Sequence, residues 1–93
     1  MRDYELLFII DSSLEEEEIK NEVERFKTLI EDGGGEVTEI NEWGTRRLAY
    51  TIKDKNEGYY VLMHVNAEPA VVQDLERVFK ITDEVIRYLI TKL

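Results

Sequence analysis

Few side chains in this sequence are suited to catalysis. His64 is the only histidine, and the chain has no cysteine, which excludes thiol catalysis, disulfides and zinc sites built on thiolates. The acidic run from Glu15 to Glu18 is explained by a solvated helix start. Because no nucleophile, second histidine or paired carboxylate accompanies His64, we predict neither an enzyme nor a site for a metal, cofactor or small-molecule substrate.

The residues best suited to binding are basic and lie in the middle of the chain. From Trp43 to Gly58 there are four basic residues against two acidic ones, whereas Leu14 to Asp32 has eight acidic against three basic. Arginine's planar guanidinium forms bidentate contacts with phosphate. The predicted nucleic-acid contacts are therefore basic residues of this segment and of the flanking strands, namely Arg2, Arg46, Arg47, Lys53, Lys55 and Arg87.

The net charge restricts how such a contact can work. The chain carries a formal charge of −9 at pH 7. Non-specific nucleic-acid binding draws most of its affinity from the neutralisation of phosphates by lysine and arginine. An RNA contact of this protein must therefore be confined to one patch or shared with a basic partner.

Aromatic residues of the same region are a second candidate for nucleic-acid contact. Trp43, Tyr50 and Tyr60 have ring faces on which bases can stack, although alternation along the strand places Tyr50 in the core. RNA-recognition domains carry stacking aromatics in a basic, glycine-containing signature on their third strand. Here the equivalent segment begins with the acidic Glu57 and has Val61 where an aromatic is expected, which disfavours that class.

Alternating apolar residues predict a strand at each end of the chain. Arg2–Ile10 has its even-numbered residues toward the core and an apolar end on its odd face, which is typical of a central strand. Glu84–Leu93 is predicted to be the last strand, with Ile86, Tyr88 and Ile90 on one face. No apolar run approaches membrane-spanning length, and residues 1–13 lack the organisation of a secretory signal, so we expect a cytoplasmic protein.

A β-hairpin is predicted between these strands. Two strand-like segments, Trp43–Ile52 and Tyr59–Val65, flank a polar loop from Lys53 to Gly58. Pairing of Lys53 with Gly58 would place Leu48 opposite Met63 and Tyr50 opposite Val61. Trp43 and Gly44 are predicted to mark a bend or bulge.

Two amphipathic helices complete the pattern. The first is predicted to begin with a capping box from Ser13 to Glu16 and to end at Gly33–Gly35. The second has Pro69 in its first turn. Residues predicted to be buried between the sheet and the helices are Leu6, Phe8, Phe26, Ile30, Leu48, Val65, Leu75, Phe79 and Ile90.

The element order defines the fold class. Strand, helix, strand, strand, helix, strand is the split βαβ pattern of an α+β, ferredoxin-like fold, with a four-stranded antiparallel sheet and both helices on one face. We expect residues 1–93 to form a single domain. The other sheet face is more apolar than solvent exposure requires, so it is a predicted protein interface, formed by Leu7, Ile9, Tyr60, Leu62 and Leu89.

Three segments resemble a known family. These are Met1–Glu5, the run Gly44–Tyr50 that contains the two adjacent arginines, and Gly58–Tyr60 at the start of the third strand. Together with the element lengths, they resemble the bacterial small-subunit ribosomal protein numbered six over essentially the whole chain. Of the predicted basic contacts, Arg2, Arg46, Arg47 and Arg87 match positions that are basic or near RNA in that family, and Lys53 and Lys55 fall in the corresponding hairpin loop.

The resemblance implies a function. It implies a component of the small ribosomal subunit that binds the central domain of the ribosomal RNA together with the small basic ribosomal protein numbered eighteen, as a heterodimer. A basic partner of this kind would account for the acidic balance of the chain. Two other hypotheses remain: a ferredoxin-like homodimer that uses its open sheet face without an RNA role, and a small-molecule sensor of similar fold.

Overall fold

Four strands and two helices follow one another in the predicted order. The computed structural model describes residues 1–93, and the elements are β1 (Arg2–Ile10), α1 (Glu16–Asp32), β2 (Glu36–Ile52), β3 (Lys55–Ala67), α2 (Pro69–Ile81) and β4 (Val85–Lys92). The strands form one antiparallel sheet in the order β2-β3-β1-β4. This confirms the ferredoxin-like class and the central position of β1.

The main core lies between the sheet and the helices. The even-numbered residues of β1 and the odd-numbered residues of β3 from Val61 onward meet the apolar stripes of both helices there. Phe8, Phe26 and Phe79 contact one another with ring centroids 4.9 to 5.3 Å apart. Seven of the nine predicted core residues belong to this cluster, and Ile90 packs against it while partly buried. Leu48 is buried elsewhere.

The entry to α1 differs from the prediction. Glu15 is the N-cap residue, and its backbone N–H donates to the Glu18 carboxylate at 3.4 Å. Ser13 lies outside the helix, where its N–H and hydroxyl donate to the Asp11 carboxylate at 2.9 and 2.8 Å. The capping box predicted from Ser13 to Glu16 is therefore wrong, because Asp11 offers Ser13 a local acceptor two residues away. Pro69 opens α2 as predicted.

The hairpin is longer and tighter than predicted. β2 and β3 continue until Ile52 pairs with Lys55, so that only Lys53 and Asp54 form the turn. Both turn residues have positive φ, at 51° and 63°, which is the backbone of a type I′ hairpin turn. The predicted loop from Lys53 to Gly58 is wrong.

A bulge changes the register along this hairpin. The pairing shifts between Glu42 and Gly44, and Gly44 has a φ of 84°. The predicted bulge is thereby confirmed, but the predicted register is wrong: Ile40 and Glu42 face Met63 and Val61. Leu48 and Tyr50 consequently lie beyond Gly58, and Tyr50 is 62% exposed instead of being in the core.

A second irregularity occurs where β4 begins. Ile9 pairs with Arg87 and Ile10 with Val85, which leaves Ile86 as an extra residue. Ile86 packs with Ile9 and Leu48 on the sheet face away from the helices. The predicted alignment of Ile86 with Tyr88 and Ile90 is therefore wrong. Neither helix has the length and hydropathy that a membrane-spanning helix requires.

Candidate partner and RNA interface

The sheet face opposite the helices, called the open face below, is ordered into rows by strand pairing. Side chains directly opposite on paired strands point to the same face. Across the sheet, Leu62 pairs with Leu7, and Leu7 with Leu89. These three residues are called the leucine row. Leu89 is 61% exposed, and Leu7 and Leu62 are half-buried, so an apolar band crosses three strands and remains accessible.

An apolar groove lies beside the leucine row. Its volume is about 300 Å³, and its walls come from Leu48, Tyr50 and Ile52 at the end of β2 and from Leu89 on β4. The hairpin end is held over the sheet by polar contacts. Arg87 donates to the Tyr50 hydroxyl, with its guanidinium 6.0 Å from the ring centroid. The groove is large enough to take an apolar side chain of a partner.

Ile9 is the predicted interface residue that the structure places differently. It lies on the open face opposite Tyr60, as expected, but it is only 7% exposed because Leu48 and Ile86 cover it. A Cβ atom at Gly58 would come within 2.2 Å of the Ile9 side chain, so this cluster tolerates no side chain there. Ile9 supports the groove floor and offers little surface to a partner.

Trp43, Tyr60 and Arg46 form a stack at the edge of the open face. The Trp43 and Tyr60 rings are nearly parallel, at 12°, with centroids 6.0 Å apart. The Arg46 guanidinium lies 5.6 Å from the Trp43 centroid. Arg46 takes part in no ion pair or side-chain hydrogen bond, so its donors remain free. Two of the aromatic residues predicted to stack on bases, Trp43 and Tyr60, thus stack on each other, and Arg46 lies over Trp43. The third, Tyr50, contacts Arg87.

The six predicted basic contacts do not form one patch. Arg46 and Arg87 lie on the open face near the hairpin turn, and Lys53 is in the turn, with its ammonium 3.5 Å from the Val85 carbonyl. These three residues are called the basic end. Arg47 follows Arg46 on the strand and points to the opposite face.

Lys55 and Arg2 are separated from the basic end for different reasons. The Lys55 ammonium pairs with the Asp11 carboxylate at 3.2 Å. Arg2 pairs with Ala67 and Arg46 with Gly58, nine residues away on β3, which corresponds to about 30 Å. Arg2 is also an even-numbered residue of β1, and these residues lie on the helix side of the sheet. A single compact RNA contact can therefore include Arg46, Arg87 and Lys53 but not Arg2.

The opposite end of the open face is acidic, which the sequence prediction missed. Asp3 and Glu5 of β1 share it with Glu36 and Glu39 of β2, and these four residues are called the acidic end. His64 lies between Glu5 and Glu39, with nitrogen–oxygen distances of 3.0 and 3.8 Å. No three histidine, cysteine, aspartate or glutamate side chains are arranged to hold a metal ion. The alternation in β1 indicated half of this cluster, but register shifts in β2 concealed the rest.

The ionisable groups with shifted pKa values lie outside the open face. Burial, with a hydrogen bond to Glu42 at 2.8 Å, raises the pKa of Tyr59 to about 12. Burial and a contact with Glu76 also raise the pKa of Tyr88. The Ser13 backbone N–H, with smaller contributions from the Ser13 hydroxyl and Lys55, lowers the pKa of Asp11 below 3.8, although partial burial opposes this shift. These groups have structural roles.

The fold and this face define a ferredoxin-like binding protein. The family model described as Ribosomal protein S6 matches residues 3–92. The chain therefore belongs to the ribosomal protein S6 family, as the sequence resemblance predicted.

Similar proteins span nearly the same length. Small ribosomal subunit protein bS6 of Caldanaerobacter subterraneus subsp. tengcongensis is 54% identical over 92 residues, covering 99% of this chain and 97% of that protein. The corresponding protein of Thermoanaerobacter pseudethanolicus is 56% identical with the same coverage. The crystal structure of 30S ribosomal protein S6 from Thermotoga maritima superposes with a TM-score of 0.94 at 36% identity, covering 99% of this chain and 87% of that chain. These relatives are ribosomal proteins, in agreement with the prediction of a non-enzymatic role.

Proposed function

We propose that this protein is a structural component of the small subunit of the cytoplasmic ribosome. In this proposal it binds the central domain of the small-subunit ribosomal RNA as half of a heterodimer with the small basic ribosomal protein eighteen. The observation that carries the proposal is the open face, where exposed arginines at one end adjoin an accessible apolar row and groove.

The basic end supports the RNA contact. Arg46 and Arg87 are exposed and each is held against an aromatic ring. A stacked guanidinium has already lost part of its conformational freedom, so contact with a phosphate costs less entropy. Arg47, on the other side of the same strand, can reach RNA that passes around the hairpin. Arg2 would contact RNA only through a separate segment.

The leucine row and the groove support the protein partner. An exposed leucine beside an apolar groove is the kind of surface that protein interfaces bury at their centre. The formal charge of −9 disfavours RNA binding by this chain alone. A basic partner covering this face would bury the apolar surface and supply phosphate contacts at the same time.

The test is a salt-titrated binding assay on central-domain ribosomal RNA. Each protein is measured alone, and then both are measured as a mixture. We expect weak binding by this chain, and a gain in the mixture that exceeds what either protein achieves alone. Replacing Leu89 by Asp should prevent pairing with the basic protein and leave thermal unfolding nearly unchanged, because Leu89 is 61% exposed.

Two results would refute this function. One is tight RNA binding by this chain alone. The other is an unchanged affinity of the mixture after Arg2, Arg46, Arg47 and Arg87 have all been replaced by Ala. The homodimer hypothesis makes a different prediction, since it requires purification from cell lysate as a dimer free of ribosomal particles.

A further inference from the structure

Charge is segregated along the open face in a way that the net charge conceals. The pairing of β1 with β3 places Asp3 beside Asn66, Glu5 beside His64, Leu7 beside Leu62 and Ile9 beside Tyr60. On the outer strands, Glu39 of β2 lies opposite His64 and so beside Glu5, and Arg87 of β4 lies opposite Ile9. The face therefore passes from acidic through apolar to basic along the strand direction.

No lysine or arginine compensates the acidic end. Glu5 and Glu39 both approach His64, and Asp3 accepts a hydrogen bond from Asn66 at 2.8 Å. Cations of the adjoining strand ends are engaged elsewhere or lie on the helix side. The N-terminal amine pairs with Glu68, Arg2 lies opposite Ala67 and Lys92 lies opposite Tyr4. The side chains of Glu5 and Glu39 are 39% and 55% exposed. Both remain accessible to a cation supplied by a partner.

Screening by salt weakens the electrostatic interaction between the two ends at physiological ionic strength. Glu5 and Ile9 are four residues apart on β1, and Ile9 is level with Arg87, which gives a separation of about 13 Å. Electrostatic interactions between exposed charges are screened over about 8–10 Å. Cationic groups of a bound molecule are therefore attracted to the acidic end, and its anionic groups are attracted to the basic end.

We infer that the open face docks its basic protein partner in one orientation. Lysine or arginine side chains of the partner lie over Glu5 and Glu39, its apolar side chains cover the leucine row, and the basic end is left for RNA phosphates. This inference rests on the proposed function and adds to it the residues that set the orientation. The reversed orientation would place cations of the partner over Arg46 and Arg87, and such juxtaposition of like charges selects against it.

The test compares two double substitutions that remove the same amount of charge. Glu5→Gln with Glu39→Gln neutralises the acidic end. Glu17→Gln with Glu24→Gln neutralises two exposed carboxylates of α1 that form no ion pair. Affinity for the purified basic ribosomal protein eighteen is measured without RNA across a salt series, and thermal unfolding of each variant is recorded.

The two double variants should behave differently. We expect the first to weaken binding about tenfold and to flatten the salt dependence, because it removes two contacts with cations. The control should change affinity less than about twofold, since its charges lie on α1, on the other side of the sheet from the open face.

A single substitution tests the same orientation with a smaller effect on folding. Glu39→Gln alone disturbs only the longer 3.8 Å contact with His64 and should still weaken binding measurably. Equal affinities for the acidic-end variant and the α1 control would overturn the inferred orientation while leaving the partnership intact. Failure of the unsubstituted chain to bind the basic protein would instead refute the proposed function.

Discussion

At the scale of single residues, Arg46 and Arg47 are adjacent in sequence but differ in environment. Arg46 lies over the Trp43 ring, which stacks on Tyr60. Arg47 occupies the other face of β2, opposite Glu57, and forms neither a salt bridge nor a cation–π contact. A cation held over an indole at an exposed site contributes about 0.5–1 kcal/mol. Arg46 is therefore the better ordered of the two.

Trp43 allows this difference to be measured, because it is the only tryptophan of the chain. We predict that Arg46→Ala changes the emission of Trp43 and also weakens RNA binding by the heterodimer, with the salt dependence reduced by about one counterion. Arg47→Ala removes the same charge and is the control. It should weaken RNA binding without changing the emission of the free protein. Identical emission changes in both variants would contradict the stack as described.

Asp11 connects three parts of the chain through short contacts. Its carboxylate accepts hydrogen bonds from Ser13 and pairs with Lys55 at the start of β3. Its backbone N–H donates to the backbone carbonyl of Glu84 at 2.8 Å. The contacts of the carboxylate with Ser13 and Lys55 lower the pKa of Asp11 below 3.8. The ionised form is therefore the one that stabilises the fold.

This pKa shift predicts a dependence of stability on pH. Because the folded pKa is lowered, the contribution of Asp11 is present above 3.8 and is lost as pH falls through the folded value. Asp11→Asn should reduce the free energy of unfolding by about 1 kcal/mol at neutral pH. Urea unfolding at several pH values should show the difference closing in acid. Asp83→Asn, at an exposed aspartate without a partner, should show no such difference at any pH.

At the scale of elements, the β2–β3 hairpin is the part that makes the groove. Its bulge at Trp43 and Gly44 shifts the register, and its two-residue turn lets the strands extend beyond Gly58. The extended end then lies over Ile9 and Ile86, with Leu48 buried between them. Without this end, Ile9 would lose the cover of Leu48, and the groove would lose the wall formed by Leu48, Tyr50 and Ile52.

The two-residue turn of this hairpin can be changed so that the protein becomes more stable. Asp54 has a φ of 63°, a conformation that costs most residues about 1–2 kcal/mol and glycine much less. Asp54→Gly should therefore raise the free energy of unfolding by about 0.5–1 kcal/mol, as measured by chemical denaturation. Asp54→Val is the opposite control, because a β-branched residue is strongly disfavoured there. A stabilising effect of valine would show that the turn is not of the assigned type.

At the scale of the whole molecule, one core between the sheet and the helices holds all the elements together. Leu75 is fully buried in that core, whereas Ile81 at the end of the same helix is 72% exposed. Leu75→Ala should cost about 2–5 kcal/mol of unfolding free energy. Ile81→Ala removes comparable apolar volume from the surface, so its effect should stay within about 0.5 kcal/mol. Denaturant unfolding of both variants measures this contrast, and equal losses would contradict the assigned core.

The distribution of charge is the other property of the whole molecule. The formal charge of −9 arises mainly from α1 and the acidic end, whereas α2 has equal numbers of acidic and basic residues and the basic end is locally positive. At physiological salt, a partner responds to the charges within about 8–10 Å of its own. A strongly acidic protein can therefore present a local site for phosphates, provided that something neutralises or covers the acidic surface nearby.

The sequence alone determined the element order and most of the core, because these depend on local periodicity. Alternation in β1 and the apolar stripes of both helices require only that each element bury one side. The family resemblance also depended on the sequence alone, since it came from short motifs. The apolar open face followed from the same alternation.

Only the tertiary structure decided which side chains meet across strands. One bulge and a two-residue turn moved Leu48 from the helix side to the open face and exposed Tyr50, since a shift of a single residue turns every side chain to the other face. The same shifts concealed the acidic end, which brings together residues of β1 and β2, and separated Arg2 from the basic end. Alternation within a strand is a local property, whereas register depends on turns and bulges that compete over the whole hairpin.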